Sequence, residues 1–411
     1  MKTLIVNFPK LNIGGVENNI YELMKYCILK KYRVIWMCPK PVHISDNYSD
    51  VLQNIEVLEA KRNIWGIWKY DKPSFDKNDD IYTLSFTPFD HDCMIKLMEE
   101  YKEFNIKNYY IVANTKGRFY FVEEYYYGFL RKIIYKKIKQ IMHDWIECDN
   151  IRFYSELQIQ AFENKYGIKM ENHERLLVPY VFGIGSLDEE QLIVRAKREQ
   201  FNIVSVSRFD FPHKQYLLSL IDLYGQLKEK YPQIHLHIGG YGHGEKLVYD
   251  HINKLDEEAR KDIILYGQIK SEDMADFMKN MHLNISVAAC VSCGAVNGVL
   301  SLPARNFCEE KCEVYGYLPD SRKMTTATCK GEPARPYIEE IINMSEKEYI
   351  KRCKDSYYTY AKESVNPEYL FEQPKQRKKE QKENHIYLQV IWIFKELSYK
   401  IHDVLTKRRN R

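Results

Sequence analysis

The sequence predicts an α/β protein made of two doubly wound domains that follow one another along the chain. Short apolar runs alternate with amphipathic stretches through almost all of its 411 residues, which is the pattern of parallel strands joined by helical crossovers. The apolar runs of the second half are continuous, as expected for strands covered by helices on both faces of a sheet. Because a domain commonly spans about 100–200 residues, this length fits two domains.

The first predicted domain covers residues 1–185. It opens with the strand Leu4–Asn7 and the helix Glu17–Lys30. A further amphipathic helix is predicted at Phe121–Lys139, and Ser155 is placed to cap the helix that follows it. The other predicted strands are Arg33–Cys38, Ile55–Leu58, Ile81–Phe86, Tyr109–Ala113 and Ile151–Tyr154.

The second predicted domain covers residues 200–360, after the polar stretch Leu187–Gln200. The alternation restarts there with the strand Phe201–Val206 and the helix Tyr216–Lys230. A basic, amphipathic helical tail is predicted at residues 374–411. The remaining strands of the second domain are predicted at Ile234–Ile238, Ile263–Tyr266 and Leu283–Ala288.

Charge and composition exclude several classes of protein. The net charge is +4, but residues 375–411 carry eleven Lys/Arg against four Asp/Glu, so the rest of the chain is net −3 and a nucleic-acid partner is not expected. The first apolar run ends at Asn7, too early for a signal peptide, and no window reaches the ~18 apolar residues of a membrane span. Ten scattered cysteines fit a reducing compartment. The sequence therefore predicts a cytoplasmic protein.

The most informative motif follows the strand Phe201–Val206. Arg208 and Lys214 lie six residues apart after the carboxyl end of this strand, where α/β folds bind their ligands. A forked guanidinium and an ammonium can together hold a diphosphate and stabilise its charge as it departs. The alternative is a solvated loop that carries two cations.

Two glycine-rich turns also connect predicted strands to helices. Gly14-Gly15-Val16-Glu17 follows the first strand, and Gly239-Gly240-Tyr241-Gly242-His243-Gly244 follows Ile234–Ile238. Such turns let backbone approach a ligand and present N–H groups to an anion. Tight structural turns are the alternative for both.

His143 follows the short apolar run Ile141-Met142. Interpreted as a residue at the carboxyl end of a strand, it could serve as a base or a hydrogen-bond partner. A structural histidine is the alternative.

Taken together, these motifs resemble the GT-B glycosyltransferases, particularly the retaining, metal-independent enzymes of glycosyltransferase family 4. The resemblance covers about residues 1–290 and implies two Rossmann-like domains that face a cleft. The matching residues are Gly14-Gly15-Val16-Glu17, Cys148-Asp149-Asn150, Tyr154-Ser155-Glu156, Val178-Pro179-Tyr180, Ser207-Arg208 with Lys214, Pro232, Ile238-Gly239-Gly240-Tyr241-Gly242 and Tyr266-Gly267.

The resemblance implies roles for these positions. Arg208 and Lys214 would grip the diphosphate of a nucleotide-sugar donor, and His143 would lie near the reacting sugar. No cofactor is implied beyond the donor substrate, and the acceptor would be a glycan or a lipid-linked glycan in cell-surface polysaccharide synthesis. Gly14, Gly15 and Glu17 would line the acceptor side, and Gly240, Tyr241, Gly242 and Gly267 the donor side.

The chain departs from family 4 after the strand Leu283–Ala288. The family usually carries a Glu-x7-Glu pattern there, whereas the segment Cys290–Ser301 contains no carboxylate. Backbone amides of Gly294, Ala295, Val296 and Asn297 could still bind phosphate or sugar hydroxyls. A non-catalytic GT-B protein that binds a glycan, a nucleotide or a partner is therefore the alternative function.

The same segment allows a structural zinc site as an alternative to a metal-free loop. Cys290 and Cys293 form one close pair of thiols, and Cys308 and Cys312 form a second. Buried or loop thiols without a metal are the competing interpretation.

The tail predicts an amphipathic helix through Ile386, Val390, Ile393, Leu397, Ile401 and Leu405. Basic clusters flank it on both sides. One interpretation is peripheral contact with the inner face of the cell membrane through residues 375–411, and the other is a helix packed on the body of the protein.

Overall fold

The computed structural model describes residues 1–12, 14–113, 128–154, 156–178, 187–270, 273–308, 310–321, 329–364, 367–372, 384–393 and 396. The chain divides into two compact units. The first comprises Met1–Tyr180 and Pro367–Arg411, and the second Val181–Asn366.

The first unit contains a seven-stranded sheet in the order β4-β3-β2-β1-β5-β6-β7. All neighbours pair in parallel except β4, which runs antiparallel to β3 and forms a hairpin with it. The strands are β1 (Lys2–Asn7), β2 (Arg33–Cys38), β3 (Glu56–Arg62), β4 (Trp68–Tyr70), β5 (Asp80–Ser85), β6 (Asn105–Val112) and β7 (Ile151–Phe153).

The helices of this unit cover the sheet with apolar side chains. Thr87 accepts a hydrogen bond from the Asp90 amide at the start of the second helix, and Pro88 occupies its first turn, where a missing N–H costs nothing. The helices are α1 (Gly15–Leu29), α2 (Pro88–Glu100), α3 (Gly128–Glu147), α4 (Glu156–Tyr166) and α5 (His173–Leu176), with a 3₁₀ helix at Asp46–Asn54.

The second unit contains a five-stranded parallel sheet in the order β10-β9-β8-β11-β12. A short antiparallel pair, β13 with β14, lies outside it. The strands are β8 (Phe201–Val206), β9 (Ile234–Gly239), β10 (Ile263–Gly267), β11 (Leu283–Ser286), β12 (Leu300–Pro303), β13 (Glu313–Val314) and β14 (Glu332–Pro333).

Helices surround this sheet and pack on it around one large core cluster of aliphatic and aromatic side chains and two smaller ones. After them the chain returns to the first unit through α14 (Glu368–Glu372) and the helical residues 384–393. The helices of the second unit are α6 (Glu189–Ala196), α7 (Tyr216–Lys228), α8 (Glu245–Asn253), α9 (Glu257–Lys261), α10 (Met274–Met278), α11 (Ala289–Ala295), α12 (Ala334–Asn343) and α13 (Glu346–Ser364).

The C-terminal helix (residues 384–393) packs on the first unit. Leu388 and Ile391 are buried in the same core as α3 and α4, whereas Ile386 and Val390 are exposed. The predicted apolar stripe is therefore not the face that packs on the protein. Leu397, Ile401 and Leu405 lie outside the described residues, as do Ser155, Pro179 and Tyr180. Within the part of the chain that the structure describes, no helix is long and apolar enough to cross a membrane.

Candidate active site

The candidate site lies at the carboxyl edge of the sheet in the second unit. β8 and β11 are neighbours at its centre, but the chain leaves β8 toward β9 on one side and β11 toward β12 on the other. This reversal is the topological switch point at which doubly wound sheets bind ligands. Arg208 and Lys214 follow β8, and Cys290 follows β11.

The loop that carries Arg208 is held by the glycine-rich turn after β9. The Phe209 amide donates to the Tyr241 carbonyl at 2.8 Å, and the Gly244 amide donates to the Phe209 carbonyl at 2.9 Å. A Cβ on Gly240 would lie 1.9 Å from the Ser207 carbonyl oxygen, and one on Gly242 would lie 2.9 Å from that of Phe209. These two glycines therefore allow the close approach of the two loops, which fixes the backbone beside Arg208.

Gly267 is hydrogen-bonded to the glycine-rich turn after β9. It ends β10 with a φ of +64°, and its carbonyl accepts a hydrogen bond from the Gly240 amide at 2.7 Å. A Cβ at Gly267 would meet no atom within 4 Å, so open space lies there. The packing of Gly240 and Gly242 agrees with the tight structural turn that the sequence left as an alternative, and a role of these glycines in donor binding stays a prediction.

The two predicted cations are brought together. Arg208 is exposed, and its positive charge lowers the pKa of Lys214. Burial is the largest cause of this shift, which brings the Lys214 pKa to about 8; the Cys290 thiol and Asp210 act in the opposite direction. An ammonium held in such a poorly solvated position gains from an incoming anion.

His213 belongs to the same loop and was not among the predicted site residues. Burial, helped by Lys214, lowers its pKa to about 4, so the ring is neutral at pH 7. The ring lies 4.9 Å from that of Phe307, which follows β12. A neutral imidazole beside two cations could donate or accept a hydrogen bond without adding charge.

The connection from β11 to α11 contains a strained residue. Ala288 has φ 52° and ψ −132°, a region that L-residues rarely adopt. Asn284 holds the turn that follows, because its side-chain amide donates to the carbonyls of Cys290 and Val291 at 2.9 and 3.3 Å. No sequence signal marks Ala288, since glycine is the residue expected in such a conformation.

The prediction that Gly294, Ala295, Val296 and Asn297 offer free amides to a donor is wrong. Gly294 and Ala295 end α11, and Val296 and Asn297 form the turn after it, where the Val296 amide donates to the Ser292 carbonyl and the Asn297 amide to the Gly294 carbonyl. Gly294 packs directly on the strands, since a Cβ there would lie 2.4 Å from the Asn284 amide nitrogen. Unpaired helical N–H groups belong to the opposite end of a helix.

The zinc alternative is not supported. Within the described residues the one group of His, Cys, Asp or Glu side chains close enough to share a metal is His143, Asp144 and Glu147. Cys308 instead donates its thiol to the Lys311 carbonyl, and Cys293 lies 3.7 Å from the Asn297 amide nitrogen.

The predicted acceptor-side residues lie in the first unit. Gly14 precedes α1 with an extended backbone, Gly15 begins the helix and Glu17 lies in its first turn, at the carboxyl end of β1. The side chain of Asn19 accepts a hydrogen bond from the Tyr154 hydroxyl at 2.8 Å, which ties α1 to the segment after β7.

The prediction that His143 ends a strand is wrong. It lies within α3, its side chain is 56% exposed, and its ring is 3.5 Å from the Glu147 carboxylate one turn later. The apolar residues Ile141 and Met142 before it are buried in the helix–sheet core. A short apolar run does not distinguish a buried helix segment from a strand.

Comparison with solved structures places this architecture among known folds. A glycosyltransferase from Rickettsia africae ESF-5 matches with a TM-score of 0.54 at 14% identity, over 96% of this chain and 98% of that one. A mutant of S. aureus TarM matches with a TM-score of 0.53 at 9% identity, over 90% and 98%. Anabaena HepE, in complex with UDP and glucose, matches with a TM-score of 0.51 at 12% identity, over 88% and 95%.

The chain is thus an α/β protein with the fold of the GT-B glycosyltransferases, and that prediction is confirmed. No family model and no curated protein sequence matches it. Membership of family 4 therefore stays a prediction.

Proposed function

We propose that this chain is a glycosyltransferase that moves a sugar from a nucleoside diphosphate to a glycan or lipid-linked glycan, with retention of configuration as in family 4. One observation carries the proposal: Arg208 and Lys214 lie in one loop at the switch point of the second sheet, close enough for their charges to interact. Negative charge accumulates on the diphosphate as the glycosidic bond breaks. Two fixed cations stabilise that charge.

The fold neighbours support this donor class. The HepE structure holds UDP and glucose, and the TarM structure holds UDP and a GlcNAc-glycerol. We assign the equivalent donor contacts here to Arg208, Lys214 and the turn Gly240-Tyr241-Gly242, and acceptor contacts to Gly14, Gly15 and Glu17. His143 is left out, because the strand end on which its role depended is a helix.

Calorimetric titration with UDP, GDP and their sugar conjugates tests the proposal, together with a hydrolysis or transfer assay. Arg208→Ala and Lys214→Ala should each reduce transfer by at least about a hundredfold, the effect of losing one charged group that stabilises a transition state. Lys254→Ala removes an exposed cation from the end of α8 and should change nothing. Near-normal transfer in both site variants would exclude the proposal.

The reaction proposed here assigns charge stabilisation to side chains rather than to a divalent cation. Transfer is accordingly expected to persist after treatment with EDTA. If chelation abolished sugar transfer and added Mg²⁺ or Mn²⁺ restored it, a metal ion and not these side chains would stabilise the diphosphate charge.

A non-catalytic binding protein is the second candidate. The observation that favours it is the absence of any carboxylate in the segment Cys290–Ser301. Such a protein would bind a nucleotide or glycan in the titration but release no sugar from any donor. Sugar release that depends on Arg208 would exclude this alternative.

We further propose that the protein works at the inner face of the cell membrane through residues 375–411. One side of the C-terminal helix packs on the core of the first unit. Contact with lipid would therefore involve the opposite, exposed side of this helix and the cations that flank it in the sequence. Fractionation of cells into membrane and soluble pools tests this location.

A further inference from the structure

The hairpin between β3 and β4 presents large apolar side chains at its turn. Ile64 is 75% exposed, Trp65 64% and Ile67 45%. Turns normally carry Gly, Asn, Asp or Ser, because these residues suit the backbone and the solvent. Three large hydrophobic side chains on one exposed turn mark a surface that contacts something apolar.

Hydrogen bonds with Asn63 order the backbone of this turn. The Asn63 side-chain oxygen accepts hydrogen bonds from the amides of Trp65 and Ile67 at 2.9 and 3.0 Å. The Gly66 amide donates to the Asn63 carbonyl, and the Asn63 amide donates to the Ile67 carbonyl, both at 3.0 Å. The apolar side chains are thus displayed on an ordered backbone, so little backbone entropy is lost when they are buried by a partner.

The C-terminal helix extends the apolar surface. Gly66 lies against it, since a Cβ there would be 3.0 Å from the Gln389 carbonyl and 3.3 Å from the Trp392 ring. On the side of the helix away from the core, Ile386 is 61% exposed and Val390 44%. We call Ile64, Trp65, Ile67, Ile386 and Val390 the apolar patch.

Lysines border the apolar patch. Lys61 and Lys69 are exposed on the two strands of the hairpin; the Lys61 ammonium pairs with the Glu59 carboxylate at 2.9 Å, an exposed pair that solvent screens. The Lys137 ammonium of α3 lies 4.2 Å from the centre of the Tyr387 ring on the C-terminal helix, and Lys132 and Lys136, about one turn apart on α3, are exposed. In the sequence, five cations in residues 375–382 precede the C-terminal helix and four in 407–411 follow it, all outside the described residues.

We infer that the apolar patch docks on an anionic lipid bilayer, with Trp65 at the level of the headgroups and the lysines on the lipid phosphates. Tryptophan and aliphatic side chains rimmed by lysine match the interface of such a bilayer in both polarity and charge. A groove for a protein segment would instead be concave, whereas the hairpin turn projects side chains outward. None of the residues of this patch is assigned to sugar transfer, so the inference rests on the membrane location proposed above but not on the proposed reaction.

Co-sedimentation of the full chain with vesicles tests the inference. Binding is expected to phosphatidylcholine vesicles that contain phosphatidylglycerol, and to be weaker with phosphatidylcholine alone. The double variant Ile64→Ser/Trp65→Ser should bind about tenfold less or weaker still, because two apolar side chains no longer enter the bilayer. Leu29→Ser, at an 81% exposed leucine at the end of α1, is the matched control and should bind like the wild type.

Tryptophan fluorescence gives a second readout. Trp65 is the most exposed of the five tryptophans, all of which are described, and Trp36 and Trp145 are fully buried. Emission should therefore shift to shorter wavelength on adding the anionic vesicles. Trp65→Phe should abolish the shift while retaining most of the binding.

Three results would overturn the inference: a wild type that binds neither vesicle, a double variant that binds as well as the wild type, or a wild-type dimer that the double variant converts to monomer without any vesicle binding. The last would assign the patch to a second copy of the chain. An unchanged melting temperature and unchanged nucleotide binding in the double variant show that the fold and the proposed active site are intact.

Discussion

The buried carboxylate of Asp92 joins Arg62 of β3 to His385 of the C-terminal helix. One oxygen lies 2.9 Å from the Arg62 guanidinium, the other pairs with the His385 ring, and the Arg62 and Asp92 side chains are only 4% and 0% exposed. Arg62 also lies over the rings of Trp68, Phe89 and Trp392, at 4.7, 4.8 and 5.9 Å. This cluster anchors the last described helix to the first unit.

Removing the charge of Asp92 should destabilise the first unit. Asp92→Asn removes the carboxylate that is paired with the buried Arg62 guanidinium, and removing one partner of a buried pair typically costs about 3–5 kcal/mol. Glu59→Gln is the control, since it breaks an exposed pair with Lys61 that contributes at most about 1 kcal/mol. Urea unfolding followed by far-UV circular dichroism measures both, and a loss below about 1 kcal/mol for Asp92→Asn would refute the role of the cluster.

A buried histidine should make the first unit sensitive to mild acid. His91 is fully buried on α2, its Nδ1 is 3.0 Å from the Ser85 hydroxyl, and burial lowers its pKa from 6.5 to about 3. Below pH 6.5 the unfolded chain binds a proton that the folded state does not, so stability falls as the pH falls. The expected loss from this group is about 2 kcal/mol between pH 6.5 and 5.

The variant His91→Gln tests that assignment. It should be less stable than the wild type at pH 7, but its stability should fall less steeply between pH 6.5 and 5. Both proteins should show the same slope between pH 7.5 and 8.5, where the imidazole is neutral in the folded and unfolded states. Equal slopes in the acid range would mean that other groups cause the acid sensitivity.

Replacing Ala288 with glycine should increase the stability of the folded protein. Its φ of 52° is unfavourable for a residue with a Cβ, so Ala288→Gly relieves strain that generally amounts to about 1–3 kcal/mol, offset in part by the added freedom of the unfolded chain. A net gain of about 1 kcal/mol is expected in thermal unfolding. Ala289→Gly, one residue later in the first turn of α11, should instead destabilise.

The alternation of strands and helices could be predicted because each strand of the second sheet is a continuous apolar run between turns. In the structure, β8, β9 and β11 begin and end within one or two residues of their predicted bounds. The order of strands, and hence the switch point beside Arg208, follows from the family resemblance and from βαβ chirality rather than from any single residue. The run Ile141-Met142 was wrongly predicted to end a strand, because a helix buried on one face shows the same local apolarity as a strand.

Other features had no signal in the sequence. The returning segment is held on the first unit by long-range contacts such as Lys2–Glu368 and Asp92–His385, and nothing in the separate stretches of sequence specifies these pairs. The patch at Ile64 and Trp65 is invisible to a periodicity search, since its meaning comes from exposure in the folded state. Ala288 occupies a conformation that composition would assign to glycine.

Lys214 should make donor binding depend on pH. Burial lowers its pKa to about 8, so the ammonium is present at pH 7 and is lost as the pH rises through 8. If the charged form holds the diphosphate, the affinity for UDP or GDP should fall by up to about tenfold between pH 7 and 9. Lys214→Arg keeps a cation throughout this range, so its affinity should be nearly independent of pH; a wild-type affinity that is also flat would remove Lys214 from the donor site.

Gly240 should tolerate no side chain, whereas Gly267 should tolerate one at moderate cost. A Cβ at Gly240 would lie 1.9 Å from the Ser207 carbonyl, so Gly240→Ala must push the turn after β9 away from the loop that bears Arg208. At Gly267 the space is open and only the φ of +64° opposes alanine, which costs about 1–2 kcal/mol. Gly240→Ala is therefore expected to lose more than about 2 kcal/mol in unfolding experiments and to weaken nucleotide binding as well. Gly267→Ala should keep its affinity, because the Arg208 loop is undisturbed. Equal stability and affinity in the two variants would mean that packing of the turn after β9 against the loop after β8 does not position Arg208.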